Sequence, residues 1–315
     1  MRHVICLAMI LCFATSVWAG PFMGEYEGTF RPDPKLTLKA VGKVVDEGDE
    51  GHRVVLYTVP DVPIDQGAFI EIRGQVEGSD LALSGQSGGY AWKGQIKDGV
   101  LTAKSGYNQY FELKKIESKS PNAGLKPPEN AVVLLAYEPD KAPDLGNWTN
   151  DAWVALPDGS MQITPKKGAN RTRQQFGDIK QLHIEFWLPL QPAARGQGRA
   201  NSGVYLSDNY EVQVLDSFGL VHTSGDCGGI YNVARAKVNA SPPPETWQTY
   251  DITFRAPRMD TNGKVTELPR ITVIHNGVKI HDNLEIPMAR HRAKGPLQLQ
   301  DHGHKIQFRN IWLVE

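Results

Sequence analysis

Hydrophobic and polar residues alternate in short runs along most of this chain, and few stretches repeat apolar residues at helical spacing. Leu182, Ile184, Phe186 and Leu188 make one face of a predicted strand, with His183, Glu185 and Trp187 on the other. Ile252 and Phe254 repeat the pattern. The run Ile271 to His275, then Asn276-Gly277, then Val278 to His281 predicts a hairpin, because Asn-Gly suits a type I′ turn. Leu297 to Gln300 and Ile306 to Val314 add a last pair of strands. Upstream, Val54 to Val59, Phe69 to Ile72, Leu81 to Leu83, Val100 to Ala103 and Tyr110 to Leu113 are short apolar runs between glycine-containing turns. The pattern predicts an all-β protein: a small β domain over 20–117 and a two-sheet sandwich or jelly roll over 131–315. Ser118 to Asn130, rich in proline and polar residues, reads as a linker over 118–130.

The stretch from Asn201 to Gly219 carries the most chemistry. It predicts two strands around an Asp208-Asn209 turn, with Val212 and Val214 facing a core and Glu211 and Gln213 facing away. Strict alternation would then bury Asp216 and expose Leu215. A one-residue bulge near Leu215 avoids an unpaired carboxylate in the core and returns Asp216 to the face of Glu211 and Gln213. Two carboxyls and an amide on one surface suit acid/base chemistry. Near the C-terminus, Leu297 and Leu299 face one way while Gln298, Gln300 and His302 face the other, and Arg309 follows. Two such polar faces predict a shared cleft.

Composition narrows the classes. At 315 residues, 40% hydrophobic and 22% charged, the chain can bury a sizeable core, and a net charge of −1 provides no general field for nucleic acid. Met1-Arg2-His3 precede an apolar run from Val4 to a Val17-Trp18-Ala19 end, the pattern of an export leader over residues 1–19. The run is short for a membrane span, so a secreted or periplasmic protein with no membrane partner is expected. Cys6 and Cys12 lie in that leader, leaving Cys227 and no internal disulfide.

Other motifs carry less. Gly85-Gln86-Ser87-Gly88-Gly89 spells a nucleophile elbow but sits among β runs rather than at a strand-to-helix turn. Cys227 between Asp226 and Gly228 resembles a protease nucleophile loop, yet His52 and His183 sit in no supporting motif, and a buried thiol is the plainer account. His302-Gly303-His304 is a weak metal signal. No cofactor motif is present, and calcium is not indicated. Tyr90, Trp92, Tyr107 and Tyr110 could form a sugar-stacking platform, but in a small β domain such rings are expected in the core.

The motifs N-S-G-V-Y-L at 201–206, Y-E-V-Q-V-L-D-S at 210–217, G-G-I-Y at 228–231, W-Q-T-Y-D-I at 247–252, H-N-G-V at 275–278, G-P-L-Q-L-Q-D-H-G at 295–303 and F-R-N-I-W-L at 308–313 resemble, in order and spacing, the 3-keto-disaccharide hydrolase domain. The resemblance covers about 131–315 and implies a concanavalin A-like jelly roll that cleaves 3-keto-glycosides or 3-keto-disaccharides, with an oligosaccharide or glycoside as substrate. It also makes Cys227 incidental. The spacing of Glu211, Gln213 and Asp216 is similar to the E-x-D-x-x-E strand of jelly-roll β-glucanases, with an amide replacing the middle acid, which argues against a two-carboxylate retaining mechanism. A ketone at C3 acidifies the C2 hydrogen and places the C1 leaving group β to the carbonyl. Candidate catalytic residues are Glu211 as base, Asp216 to protonate the leaving oxygen or later direct water, roles the two carboxyls could exchange, and His302 or Arg309 at the enolate oxygen. Asn201, Gln213, Gln300, Arg309 and Glu185 are candidate substrate-binding residues. A non-catalytic, lectin-like sugar-binding protein is the alternative, because the jelly roll hosts both.

Overall fold

The computed structural model describes residues 20–58 and 69–315; the leader expected over 1–19 lies outside the described residues. Among these residues there is no α-helix. Strands β1 (Gly24–Asp33), β2 (Leu36–Asp46), β3 (His52–Thr58), β4 (Phe69–Glu77), β5 (Asp80–Ser87), β6 (Tyr90–Lys97), β7 (Val100–Ser105) and β8 (Tyr110–Ile116) pair in sequence order, and β8 returns to β1. Alternate residues such as Leu81, Leu83, Trp92, Ile96, Leu101, Phe111 and Leu113 fill the interior. Closure leaves the barrel without the unpaired edge that an open sheet of this length would present.

The four aromatic residues are divided by this arrangement. Trp92 is core, Tyr90 and Tyr110 are half-buried and Tyr107 is exposed, meeting Tyr90 edge-on at 5.1 Å. The Gly85–Gly89 motif ends in the β5–β6 hairpin turn, where Ser87 Oγ accepts the Glu71 amide.

The second half is a sandwich. In chain order its strands are β9 (Val132–Leu135), β10 (Val154–Ala155), β11 (Met161–Gln162), β12 (Asn170–Phe176), β13 (Ile179–Trp187), β14 (Ser202–Leu206) and β15 (Tyr210–Val214). There follow β16 (Gln248–Arg255), β17 (Arg258–Met259), β18 (Val265–Glu267), β19 (Arg270–His275), β20 (Val278–Glu285), β21 (Gly295–Leu299) and β22 (Gln307–Val314). The larger sheet runs β10-β11-β22-β13-β16-β19-β20, with β9 also on β22, and the smaller runs β12-β21-β14-β15. Leu182, Ile184 and Phe186 from the larger sheet share one core with Val204, Val212, Val214, Leu297 and Leu299 from the smaller. Asn276 and Gly277 take φ of 50° and 80° between β19 and β20, as a type I′ turn requires.

Residues 118–130, predicted as a linker, join the barrel to the sandwich and are also tied to the larger sheet. Ser120 Oγ meets Thr249 Oγ1 at 2.7 Å, Asn122 Nδ2 donates to Asp251 Oδ2 at 2.6 Å, and the Gly124 amide donates to Glu185 Oε1 at 2.6 Å. Asn310 Nδ2 and Trp312 Nε1 both donate to Leu125 O. The segment is too polar and proline-rich to join a strand, and instead straps across the outer polar face of the larger sheet, satisfying groups that would otherwise be buried without partners.

Candidate functional site

The smaller sheet turns its polar side chains away from the core. Cross-strand register places Arg171 beside Gln298, Gln298 beside Tyr205, and Tyr205 beside Glu211, a row across all four strands. At the usual strand spacing the row spans roughly 14 Å. One step along, Gly203 pairs with Gln213, and the Gln300 amide donates to Gly203 O at 3.0 Å. Gly203 leaves a gap in this second row, and the Glu211 carboxyl leans into it. A Cβ at 203 would lie 3.0 Å from both Glu211 Cδ and Tyr205 Cε2, and nearer still to Glu211 Oε1.

Glu211 is 9% exposed, and burial pushes its carboxyl up to about 7, with a hydrogen bond from Tyr205 opposing the rise. Burial, together with the Glu211 charge, also raises the Tyr205 hydroxyl. Gln300 Nε2 donates to Tyr205 Oη at 3.1 Å, so an amide, a phenol and a carboxyl form a chain across the face. The Gly228–Tyr231 segment covers the free edge of β15: Gly228 N donates to Gln213 O, Gln213 N to Gly229 O, and Tyr231 N to Glu211 O. Tyr205, Glu211, Tyr231, Asn209 and Met288 border a groove of about 410 Å³.

Gln213 is buried, and its Nε2 donates to Gln197 Oε1 and to Gly225 O, both at 3.2 Å. A carboxylate could make neither bond, which is a local reason for an amide at this position. Asn201 is fixed through its amide to His304 Nδ1 at 3.0 Å and through Nδ2 to Gln197 Oε1 at 2.8 Å. His302 is exposed, its ring parallel to His304 at 6.3 Å. Among the described residues no three His, Cys, Asp or Glu side chains gather as a metal site.

Asp216 departs from the shared surface the sequence predicts. Strand β15 ends at Val214, Leu215 is in the core, and the Asp216 amide donates to Arg199 O, one residue out of the register that pairs Ser202 with Val214. The irregularity near Leu215 exists, but the carboxyl it redirects is committed elsewhere. Oδ2 accepts Arg199 Nε at 2.6 Å and Oδ1 accepts the Phe218 amide at 3.2 Å. Burial pushes Asp216 up and the Arg199 guanidinium opposes it.

Glu185 and Arg309 lie on the other sheet, with the sandwich core between them and Glu211. Arg309 Nε donates to Glu185 Oε2 at 2.8 Å, and the guanidinium sits 4.3 Å from the Tyr137 ring and 4.0 Å from Trp247. Burial alone would raise Glu185, but hydrogen bonds from His183, Asn310 and Gly124 and the Arg309 charge bring it down to about 2. Glu185 is bound by the 118–130 strap through the Gly124 amide. Of the two polar faces predicted to share a cleft, the one bearing Gln298 and Gln300 does join the sheet of Glu211, whereas Arg309 does not: β21 and β22 are consecutive in sequence but belong to opposite sheets. Tyr205, Gln197 and Tyr231 were not singled out from the sequence. Tyr205 could have been, because 201, 203 and 205 share the strand face on which Asn201 lies.

Residues 139–314 match the model of the 3-keto-alpha-glucoside-1,2-lyase-like domain. Among solved structures, a proposed glycosyl hydrolase from Parabacteroides distasonis is 34% identical over 59% of this chain and 84% of its own, with a TM-score of 0.54. A second proposed glycosyl hydrolase from that organism is 14% identical over 59% of this chain and 93% of its own, with a TM-score of 0.43. A carbohydrate-binding module, CBM66 from Bacillus subtilis, is 13% identical over 52% of this chain and 93% of its own, with a TM-score of 0.34. No curated protein matches the sequence.

Proposed function

Because the chain belongs to the 3-keto-alpha-glucoside-1,2-lyase-like family, we propose that it cleaves 3-keto-glycosides by acid/base chemistry centred on Glu211. Family and 34% identical neighbour together make it a carbohydrate-active protein. The observation that carries the finer reading is one carboxyl, raised to about 7, in a polar row beside a groove. A group titrating there is divided between base and acid at neutral pH, which is where a single residue can serve in both roles.

In the proposed reaction the Glu211 carboxylate takes the C2 proton of the keto sugar, and the electron pair left at C2 delocalises onto the C3 oxygen as an enolate. Collapse of the enolate forms the C1–C2 double bond and breaks the C1–O bond. The proton now on Glu211 passes to the departing oxygen, giving an enone and an alcohol, and addition of water to the enone completes a hydrolysis. His302 would have to reach the enolate oxygen from its exposed position beside His304, and Asn201, Gln300 and Tyr205 would orient hydroxyls. Asp216, Gln213 and Arg309 have no part in this version, because all three are held by other partners. The export leader would place the reaction outside the cytoplasm.

The test incubates the purified protein with 3-keto-glucosides and their unoxidised parents in heavy water. Cleavage of the keto substrates alone, deuterium at C2 of the product and loss of turnover in Glu211→Gln are expected. Near wild-type turnover by Glu211→Gln would sink the assignment. Turnover with neither a released enone nor deuterium at C2 would replace elimination by direct displacement, and binding that tolerates Glu211→Gln without any cleavage would make the protein lectin-like.

A further inference from the structure

The loops that frame the Glu211 face are gripped by the N-terminal barrel. The loop from Gln191 to Asn201 brings Gln197 and Asn201 to the site, and the turn from Asp216 to Gly219 follows β15. Against them packs the barrel turn joining β2 to β3. Arg195 Nη2 donates to Glu47 O at 3.1 Å and pairs with Glu50 at 3.2 Å. Arg199 Nη2 donates to Asp46 O at 3.3 Å, while its Nη1 lies within 3.5 Å of the Gln191, Pro192 and Ala194 carbonyls and its Nε holds Asp216. On the other side, Arg53 Nη1 donates to Gly219 O at 2.9 Å, and Lys43 lies over the Phe218 ring at 5.3 Å. Glu47 accepts from Arg53 Nε at 2.9 Å and also binds Arg73, so the barrel turn is itself braced.

We propose that the barrel is a clamp that sets the geometry of the Glu211 site, with Arg199 as its positioning residue. The identity of what is positioned rests on the function proposed above. Two observations carry the inference. Arg199 and Asp216 are both buried, and a buried ion pair is a poor source of net stability because its desolvation cost is large. What this pair does supply is direction: one planar guanidinium reaches Asp216, the barrel and three carbonyls of the loop, fixing the loop against both halves of the chain. Second, Ala200 takes φ of 50°, a left-handed conformation that persists in a non-glycine residue only where its surroundings impose it. Ala200 lies between Arg199 and Asn201. Gln197 in turn accepts from both Asn201 and Gln213, so a shift of this loop moves the amides flanking Glu211.

The test compares wild type with Arg195→Ala, whose side chain is 42% exposed and tolerates removal, with Arg199→Lys, which keeps the charge opposite Asp216 without the fork, and with Asp216→Asn. Hydrogen exchange at residues 196–203 and steady-state kinetics on a 3-keto-glucoside are read on the full chain. The clamp predicts faster exchange over 196–203 in Arg199→Lys and Asp216→Asn and, to a smaller extent, in Arg195→Ala. KM should rise about tenfold in Arg199→Lys with kcat within about twofold, because loss of substrate-orienting contacts weakens ground and transition states alike. Unchanged exchange in all three variants would overturn the clamp, as would faster exchange with wild-type KM and kcat. Loss of kcat and of one limb of the pH profile in Asp216→Asn, with exchange unchanged, would restore Asp216 as a catalytic acid and overturn its positioning role. A wild-type chain inactive on every 3-keto-glucoside would sink the proposed function, and the exchange readout alone would then decide whether the loop is clamped.

Discussion

Replacing Glu211 by glutamine should abolish turnover and, at neutral and alkaline pH, stabilise the fold. The carboxyl is 9% exposed, leans into the gap above Gly203, and has no cation among its hydrogen-bond partners; burial carries it from the usual 4.5 to about 7. A rise of that size corresponds to about 3 kcal/mol of preference for the protonated form. Because the folded value lies above the unfolded one, the contribution is fully present below about 4.5 and is lost as pH rises through about 7. Above that pH the wild-type chain carries a buried carboxylate, and the glutamine variant puts an uncharged amide in its place. Denaturant melts at pH 4 and pH 8 check this: the two proteins should be similar at pH 4, and Glu211→Gln should be the more stable by about 3 kcal/mol at pH 8. A variant of equal or lower stability at pH 8, or one whose advantage is the same at both pH values, would refute the burial argument. The combination of lost activity and gained stability is the signature of a residue held in an unfavourable environment for its chemistry.

Three further outcomes follow from the same geometry. Tyr205→Phe removes the hydroxyl that opposes the rise of Glu211, so the limb of the kcat/KM pH profile belonging to Glu211 should move to higher pH; an unmoved limb would detach Tyr205 from the base. Gly203→Ala forces the Glu211 carboxyl and the Tyr205 ring apart, and kcat/KM should fall at least about tenfold with the circular dichroism unchanged, since small misplacements of a reacting group are costly. Cys227 is fully buried, its thiol raised by burial and hydrogen-bonded to Tyr250, so iodoacetamide should leave both the native thiol and the activity untouched; rapid inactivation would reopen the cysteine reading.

Much of the fold was legible because its signals are local. Alternation marks strands residue by residue, and the Asn276-Gly277 pair takes the backbone angles its turn needs. The core faces of β13, β15, β16 and β21 follow directly from that alternation. The site was legible only in part. Glu211, Gln213, Asn201 and Gln300 lie on one sheet because strand pairing brings β14, β15 and β21 side by side. Arg309 is only nine positions beyond Gln300, yet the chain crosses to the other sheet between them, and no local pattern records that crossing. Asp216 shows the same limit. Periodicity implied that the strand must break near Leu215, but the partner that takes up the charge, Arg199, sits in a loop with no periodicity of its own.

The sequence by itself determined the all-β class, the inward faces of the strands and, through its motifs, the family, since these depend on residue spacing and on order along the chain. Only the tertiary structure decided which polar faces meet. It set Glu211 beside Tyr205 in a gap left by Gly203, paired Arg309 with Glu185 on the opposite sheet and bound Glu185 to the strap there, and tied Asp216 to Arg199 where the barrel grips the sandwich. Spacing specifies which way a side chain points from its own strand; which charge it meets there depends on segments far away in sequence, and that pairing also decides whether a carboxyl is locked into an ion pair or left to titrate near neutrality.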